Sequence, residues 1–129
     1  MGRLTTHVLD TAQGIPGKGI KVNLYFKGDS SQVLLASKVT NDDGRCDTPL
    51  LEGDKFIAGE YLLEFEIGTY FKNSPIHLSE PHFLNNVLIQ FYASNSEAHY
   101  HVPLLVTPWS YSTYRGSWLF DQLSYRSSR

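Results

Sequence analysis

The sequence predicts an all-β fold in which two sheets pack face to face. Apolar residues recur at every second position in several short runs, the spacing that turns one face of a strand toward a core. Clusters of Gly, Pro, Asn and Asp separate the runs and supply turns. Seven or eight such strands must bury one face of each sheet, and a sandwich does this.

The first strand covers 4–9, with Leu4, Thr6 and Val8 on one face and Thr5 and His7 on the other; Leu9 joins the face of His7 and breaks strict alternation. The second covers 20–27, where Ile20, Val22, Leu24 and Phe26 alternate, and the third covers 34–40. "NDDGR" at 41–45 is a tight turn, because Asn, Asp and Gly tolerate positive φ. A short strand is expected over 46–50, then a long one over 61–67. Residues 68–85 contain two prolines and break the pattern, so they form a surface connection with room for a helical turn over 69–73. Strands over 86–93, 99–107 and 110–114 complete the domain at residue 117. The remaining stretch, "WLFDQLSYRSSR" at 118–129, has no clear period and is expected to be a flexible C-terminal extension.

At 129 residues the chain fits a single domain. Eleven Lys and Arg against 13 Asp and Glu give a net charge of −2, which leaves no basic footprint for nucleic acid. No run approaches the roughly 18 apolar residues of a membrane span. The start "MGRLTTHVLD" lacks the apolar core of a secretory signal, and a lone Cys46 cannot form an internal disulfide; both favour a reducing, cytoplasmic setting. The terminal Ser-Ser-Arg is not the S-K-L address that would direct the chain to peroxisomes.

Alternation also orients the residues that could do chemistry. Near the C-terminus Tyr100, Val102 and Leu104 share the apolar face, so His99 and His101 point outward, as His7 does in the first strand. If the two strands are neighbours, His7 and His101 share an outer surface; taken one at a time, each would more often be a plain solvated histidine. Arg45 leaves the Asn-Asp-Asp-Gly turn with a guanidinium suited to anionic or carbonyl-rich ligands, or it simply balances Asp42 and Asp43. Cys46 reads as a half-buried small hydrophobe. His99 and His101 with a third histidine could bind zinc, but no further Cys supports that set, and no G-x-S-x-G elbow supports a serine nucleophile. No metal and no cofactor is expected.

Together, "LTTHVLDTAQGIPGKGIKVNLY" at 4–25, "NDDGRC" at 41–46 and "HYHVPLLVTPWSYSTYRGS" at 99–117 closely resemble the transthyretin-like family. The resemblance implies an eight-stranded sandwich with one short helix, assembled as a homotetramer whose sites lie where two dimers meet across outer sheet faces. It also implies metal-independent hydrolysis of a cyclic amide in 5-hydroxyisourate, giving 2-oxo-4-hydroxy-4-carboxy-5-ureidoimidazoline in urate degradation. By the same resemblance His7, Arg45, His101 and Ser117 are catalytic, and His7, Arg45, Tyr114 and Arg115 bind substrate. Members commonly end at the Ser of Y-R-G-S, whereas this chain runs on for 12 residues (129 − 117). The other reading within the family is a carrier holding a flat aromatic ligand such as a thyroid hormone in the same channel. A carrier wants apolar walls and hydrolysis wants converging ionisable groups, so the histidines and the arginine favour the enzyme.

Overall fold

The computed structural model describes residues 1–116. The strands are β1 (Arg3–Asp10), β2 (Ile15–Pro16), β3 (Lys21–Lys27), β4 (Gln32–Val39), β5 (Leu51–Glu52), β6 (Gly59–Phe65), β7 (Val87–Ala93), β8 (His99–Val106) and β9 (Tyr111–Thr113), with a helix, α1 (Ile67–Lys72), between β6 and β7. One sheet runs β2-β1-β8-β9, with β5 also on β1; the other runs β4-β3-β6-β7. The predicted all-β sandwich with one short helix is therefore present. Ser117 and the extension at 118–129 lie outside the described residues.

The sheets form because alternate side chains bury against each other. Leu4 and Val8 of β1 and Val102 and Leu104 of β8 meet Val22, Leu24, Leu63 and Phe65 from the opposite sheet. Each such side chain contributes about 1.5–3 kcal/mol when withdrawn from water. Aromatic rings fill one end of the core: Tyr61 stacks on Phe91, with ring centroids 5.7 Å apart, and meets Phe26 edge-on at 5.2 Å. Its hydroxyl donates to the carbonyl of Ile57 at 2.6 Å, so the buried ring keeps a polar partner.

Local expectations failed where tertiary pairing overrode pattern. Ile67 continues the alternation of β6 but begins α1 instead, and it is buried there all the same. The short strand expected over 46–50 is displaced to Leu51–Glu52, because only there does the segment pair in register with β1, Leu51 opposite Leu4. β2 was not anticipated; it is two residues long and pairs with the far end of β1, Pro16 opposite Leu9.

The arrangement that positions the site is the pairing of β1 with β8. The two run parallel in the middle of their sheet, with Thr5 opposite His101 and His7 opposite Pro103. On its other edge β1 meets β5 at Arg3 and Leu4, and β2 at Leu9 and Asp10. The gap between is closed by a single bridge from His7 to Arg45, aided by the Val8 N–H donating to the Gly44 carbonyl at 2.8 Å. Every amide along this edge must find a partner once it is buried, and the 44–52 segment supplies several.

Candidate functional site

On β1, Leu4, Thr6 and Val8 are buried and Thr5 and His7 half-buried; on β8, Tyr100, Val102 and Leu104 are buried and His99 and His101 half-buried. His7 and His101 thus stand on the same outer face of adjacent strands. Strand spacing and a two-residue offset put their Cα atoms about 8 Å apart. The antiparallel bridge to His7 brings Arg45 onto that face as a third group.

The tautomer of His7 follows from its partner. Its Nε2 lies 2.8 Å from the carbonyl oxygen of Asp43, and a carbonyl can only accept. Nε2 therefore carries the proton and Nδ1 carries the lone pair. Burial lowers the pKa of the ring below its ordinary 6.5, and the neighbouring Arg45 charge lowers it further; the Asp43 carbonyl and carboxylate push more weakly the other way. His7 is consequently a neutral base near neutral pH.

The 41–45 turn that supplies both Asp43 and Arg45 rests on Gly44, whose φ is +78°. A Cβ there would strike the carbonyl oxygen of Val8, so the turn can lie against β1 only with glycine at this place. The Arg45 side chain is exposed and makes no hydrogen bond or ion pair among the described residues, whereas Asp42 is paired with Lys18 at 3.0 Å. The guanidinium is not spent on the turn's own carboxylates.

His101 is held from two sides. Its backbone exchanges hydrogen bonds with Gly116, at 2.8 and 2.7 Å, and its Nδ1 lies 2.8 Å from the Thr5 hydroxyl. Thr5 is a contact that sequence reasoning missed. It stood on the correct face, but only the parallel register places it opposite His101. A small cavity of about 130 Å³ opens beside this cluster, lined by Thr5, Thr6, Arg45, Cys46, Thr48 and Leu50. Burial raises the Cys46 thiol above its usual range, which keeps it protonated and a poor nucleophile.

The closing Tyr-Arg-Gly segment divides. Gly116 pairs with His101, but the Arg115 guanidinium sits 4.4 Å from the centre of the Tyr100 ring, a residue of the core-facing side of β8. Tyr114 and Arg115 line a cleft of about 250 Å³ with Ile89, Phe91, Tyr100 and Val102, at the edge of the sandwich between β7 and β9. Within one chain, then, His7, Arg45 and His101 are brought together, and Arg115 is set on the other side of the sheet. His99 turns to the carbonyl of Met1 at 3.3 Å. Among the described residues no three His, Cys, Asp or Glu side chains converge as a metal-ligand set.

The model of the HIUase/Transthyretin family matches residues 4–116. A 5-hydroxyisourate hydrolase of Pseudomonas aeruginosa is 52% identical over 117 residues, covering 91% of this chain and 93% of that protein. The structure of Klebsiella pneumoniae 5-hydroxyisourate hydrolase superposes with a TM-score of 0.75 at 33% identity, covering 91% of this chain and all (100%) of the other. Sea bream transthyretin in complex with thyroxine superposes with a TM-score of 0.79 at 26% identity, covering 89% and 95%.

Proposed function

The chain belongs to the HIUase/Transthyretin family, and on that premise we propose that it hydrolyses 5-hydroxyisourate by attack of water on a ring amide. The observation that carries this reading is the His7 tautomer: a neutral ring with Nε2 tied to the Asp43 carbonyl and Nδ1 presenting its lone pair, beside an uncommitted guanidinium. That pair is what amide hydrolysis requires, a base for water and a cation for the oxyanion.

His7 Nδ1 takes one proton from water as the oxygen attacks the ring carbonyl. Arg45 faces the negative charge that develops on the carbonyl oxygen, and its planar fork also fits the electron-rich ring of the substrate. The carbon–nitrogen bond then breaks, and the proton held by His7 goes to the departing ring nitrogen. His101, fixed by Thr5, is placed on the same face to pass it across. The products of that bond are a carboxyl group, which leaves ionised, and a ureido nitrogen, giving 2-oxo-4-hydroxy-4-carboxy-5-ureidoimidazoline. No metal enters the scheme.

The face bearing these groups is open in the single chain. We place it in a homotetramer, where the same face of a second dimer would exclude water and raise the weight of each charge. Exposed apolar side chains at the sandwich edge support assembly: Leu88 and Tyr92 of β7, and Tyr111 and Tyr114 at β9, are all about half exposed or more.

The likeness to a thyroxine-bound transthyretin favours a second reading, a carrier of flat aromatic ligands. Three ionisable groups on one face are costly in an apolar channel and useful in a hydrolytic one. The deciding experiment generates 5-hydroxyisourate with urate oxidase and follows its decay with and without the protein, the spontaneous decay being subtracted. Acceleration is expected, with His7→Ala lowering kcat by about 10²–10⁴-fold, the usual contribution of a positioned base. A folded protein without acceleration would overturn the hydrolase and leave the carrier.

A further inference from the structure

The chemistry above needs two things from one short turn, a carbonyl that fixes the tautomer of His7 and a guanidinium aimed at the substrate. Both come from 41–45, and both hang on a side chain that plays no part in the reaction scheme. Asn41 Oδ1 accepts from the Asp43 N–H at 2.9 Å and from the Arg45 N–H at 3.1 Å. Its carbonyl accepts from the Gly44 N–H at 2.9 Å, and its own N–H donates to the Arg45 carbonyl at 2.7 Å. Its Nδ2 donates to Asp47 Oδ1 at 2.9 Å, which orients the amide so that Oδ1 faces the turn.

We propose that Asn41 is a positioning residue of the active site, its side-chain oxygen clamping the Asp43 and Arg45 amides so that one group sets the His7 tautomer and the Arg45 direction together. This rests on the hydrolase reading for its catalytic consequence and on geometry alone for its structural one. The clamp acts on the turn from within. The base of the turn is already held independently, since the buried Thr40 hydroxyl donates to the Gly17 carbonyl at 2.6 Å and accepts from the Ile20 N–H at 2.9 Å. Losing the Asn41 side chain should therefore loosen the tip and spare the fold. Without Oδ1 the Asp43 and Arg45 N–H groups, both near the surface, turn to water. The Asp43 carbonyl then no longer holds a fixed place, and His7 Nε2 loses its anchor.

Asn and Asp differ here in a useful way. Asn41→Asp would keep the double acceptor but lose the donor to Asp47 and add a negative charge among Asp42, Asp43 and Asp47. The charged or titratable groups around His7 are Arg45 and Asp43 on the turn and His101 on β8. A new carboxylate on the turn should move the acid limb of the pH profile upward; the exposed Asp47 side chain turns away to water, and the two amide bonds to the oxygen at position 41 stay in place.

The test compares wild type, Asn41→Ala and Asn41→Asp by kcat, KM and pH profile, with ¹⁵N NMR of the His7 ring as a readout independent of activity. In the wild type the ring should show the Nε2–H tautomer. Asn41→Ala should mix the two tautomers, lower kcat about 10-fold or more and raise KM about 3–10-fold, with the far-ultraviolet spectrum unchanged. Asn41→Asp should restore the Nε2–H tautomer and most of kcat, with its acid limb at higher pH than wild type. A wild-type tautomer signal and wild-type kinetics in Asn41→Ala would overturn the proposal. So would a loss shared equally by both variants and explained by unfolding, since the acceptor-preserving variant would then rescue nothing. If the wild type itself fails to hydrolyse 5-hydroxyisourate, the function falls, and the NMR comparison still decides whether Asn41 sets the ring.

Discussion

Gly44→Ala tests whether the 41–45 turn is wedged against β1 as the site requires, and its cost can be worked from the structure. At φ +78° an alanine is held in the left-handed region, which costs about 1–2 kcal/mol. The new Cβ would also meet the Val8 carbonyl oxygen, and would lie 3.1 Å from the Gly17 nitrogen. That carbonyl already accepts from the Gly17 N–H at 2.8 Å, so it cannot swing aside without losing a bond. Relief comes from lifting the turn, which breaks the Val8 N–H to Gly44 carbonyl bond and the His7 to Asp43 bond, each 2.8 Å and each worth about 1 kcal/mol net. The total is about 3–4 kcal/mol. Gly14→Ala is the internal control: its φ is +71°, and a Cβ there meets nothing within 4 Å. It should cost only the conformational part, about 1–2 kcal/mol. Urea unfolding of both variants at one protein concentration, with the slope checked for constancy, gives the comparison. A difference near 2 kcal/mol supports the wedge. Gly44→Ala within about 0.5 kcal/mol of Gly14→Ala, below the worth of even one lost bond, would refute it and, with it, the argument that the turn fixes His7.

The pH dependence has a definite sign. In the proposed scheme His7 acts as the neutral ring, and its pKa lies below 6.5, so kcat/KM should be flat above about pH 7, where more than about three-quarters of the rings are neutral, and should fall with an acid limb below 6.5. The folded state prefers the neutral ring, so the stability this group confers is complete above the unfolded pKa of about 6.5 and is lost as pH falls through the lowered folded value. An acid limb above 6.5, or stability that rises on acidification across this range and disappears in His7→Ala, would contradict the reading. Thr5→Val keeps the shape of the side chain and removes only the hydroxyl that meets His101 Nδ1; kcat should fall several-fold with KM and the urea midpoint little changed, and unaltered kcat would show that Thr5 does not set the ring.

Which face each histidine takes was legible in the sequence, because a strand has period two and the apolar residues leave one choice. Leu9, half-buried on the outer face, blurred the pattern of β1 without reversing it. What lay beyond local pattern was every pairing distant in the chain. The Thr5 to His101 contact spans 96 positions, and nothing in either strand announces that the two run parallel and in that register. Asn41 was visible as a turn former, but its clamp on the Arg45 amide depends on how the turn closes. The same limit explains the displaced β5: residues 46–50 carry extended-chain character, yet a strand forms only at Leu51–Glu52, where the segment comes into register with Arg3 and Leu4 of β1. The resemblance assigns Arg115 to the substrate together with Tyr114, whereas within one chain alternation from Gly116 carries its side chain to Tyr100 on the opposite side.

The edge of β1 explains why stability and chemistry share the same bonds. A strand in the middle of a sheet must satisfy amides on both sides, and β1 has β8 on one side but only short β5 and β2 on the other. The stretch between them falls at His7 and Val8, where the sheet would otherwise show an open edge. A regular strand there would spend its carbonyls within the plane of the sheet and leave none for the His7 ring. Closing it with a turn leaves the ring accessible, ties its Nε2 to a carbonyl of that turn and delivers Arg45 beside it. The turn completes the sheet with the same atoms that the proposed scheme uses to arm the histidine, so substitutions at Gly44 should change stability and turnover together, whereas those at Arg45, whose side chain makes no hydrogen bond or ion pair among the described residues, should change turnover and leave stability above about pH 7 unaltered.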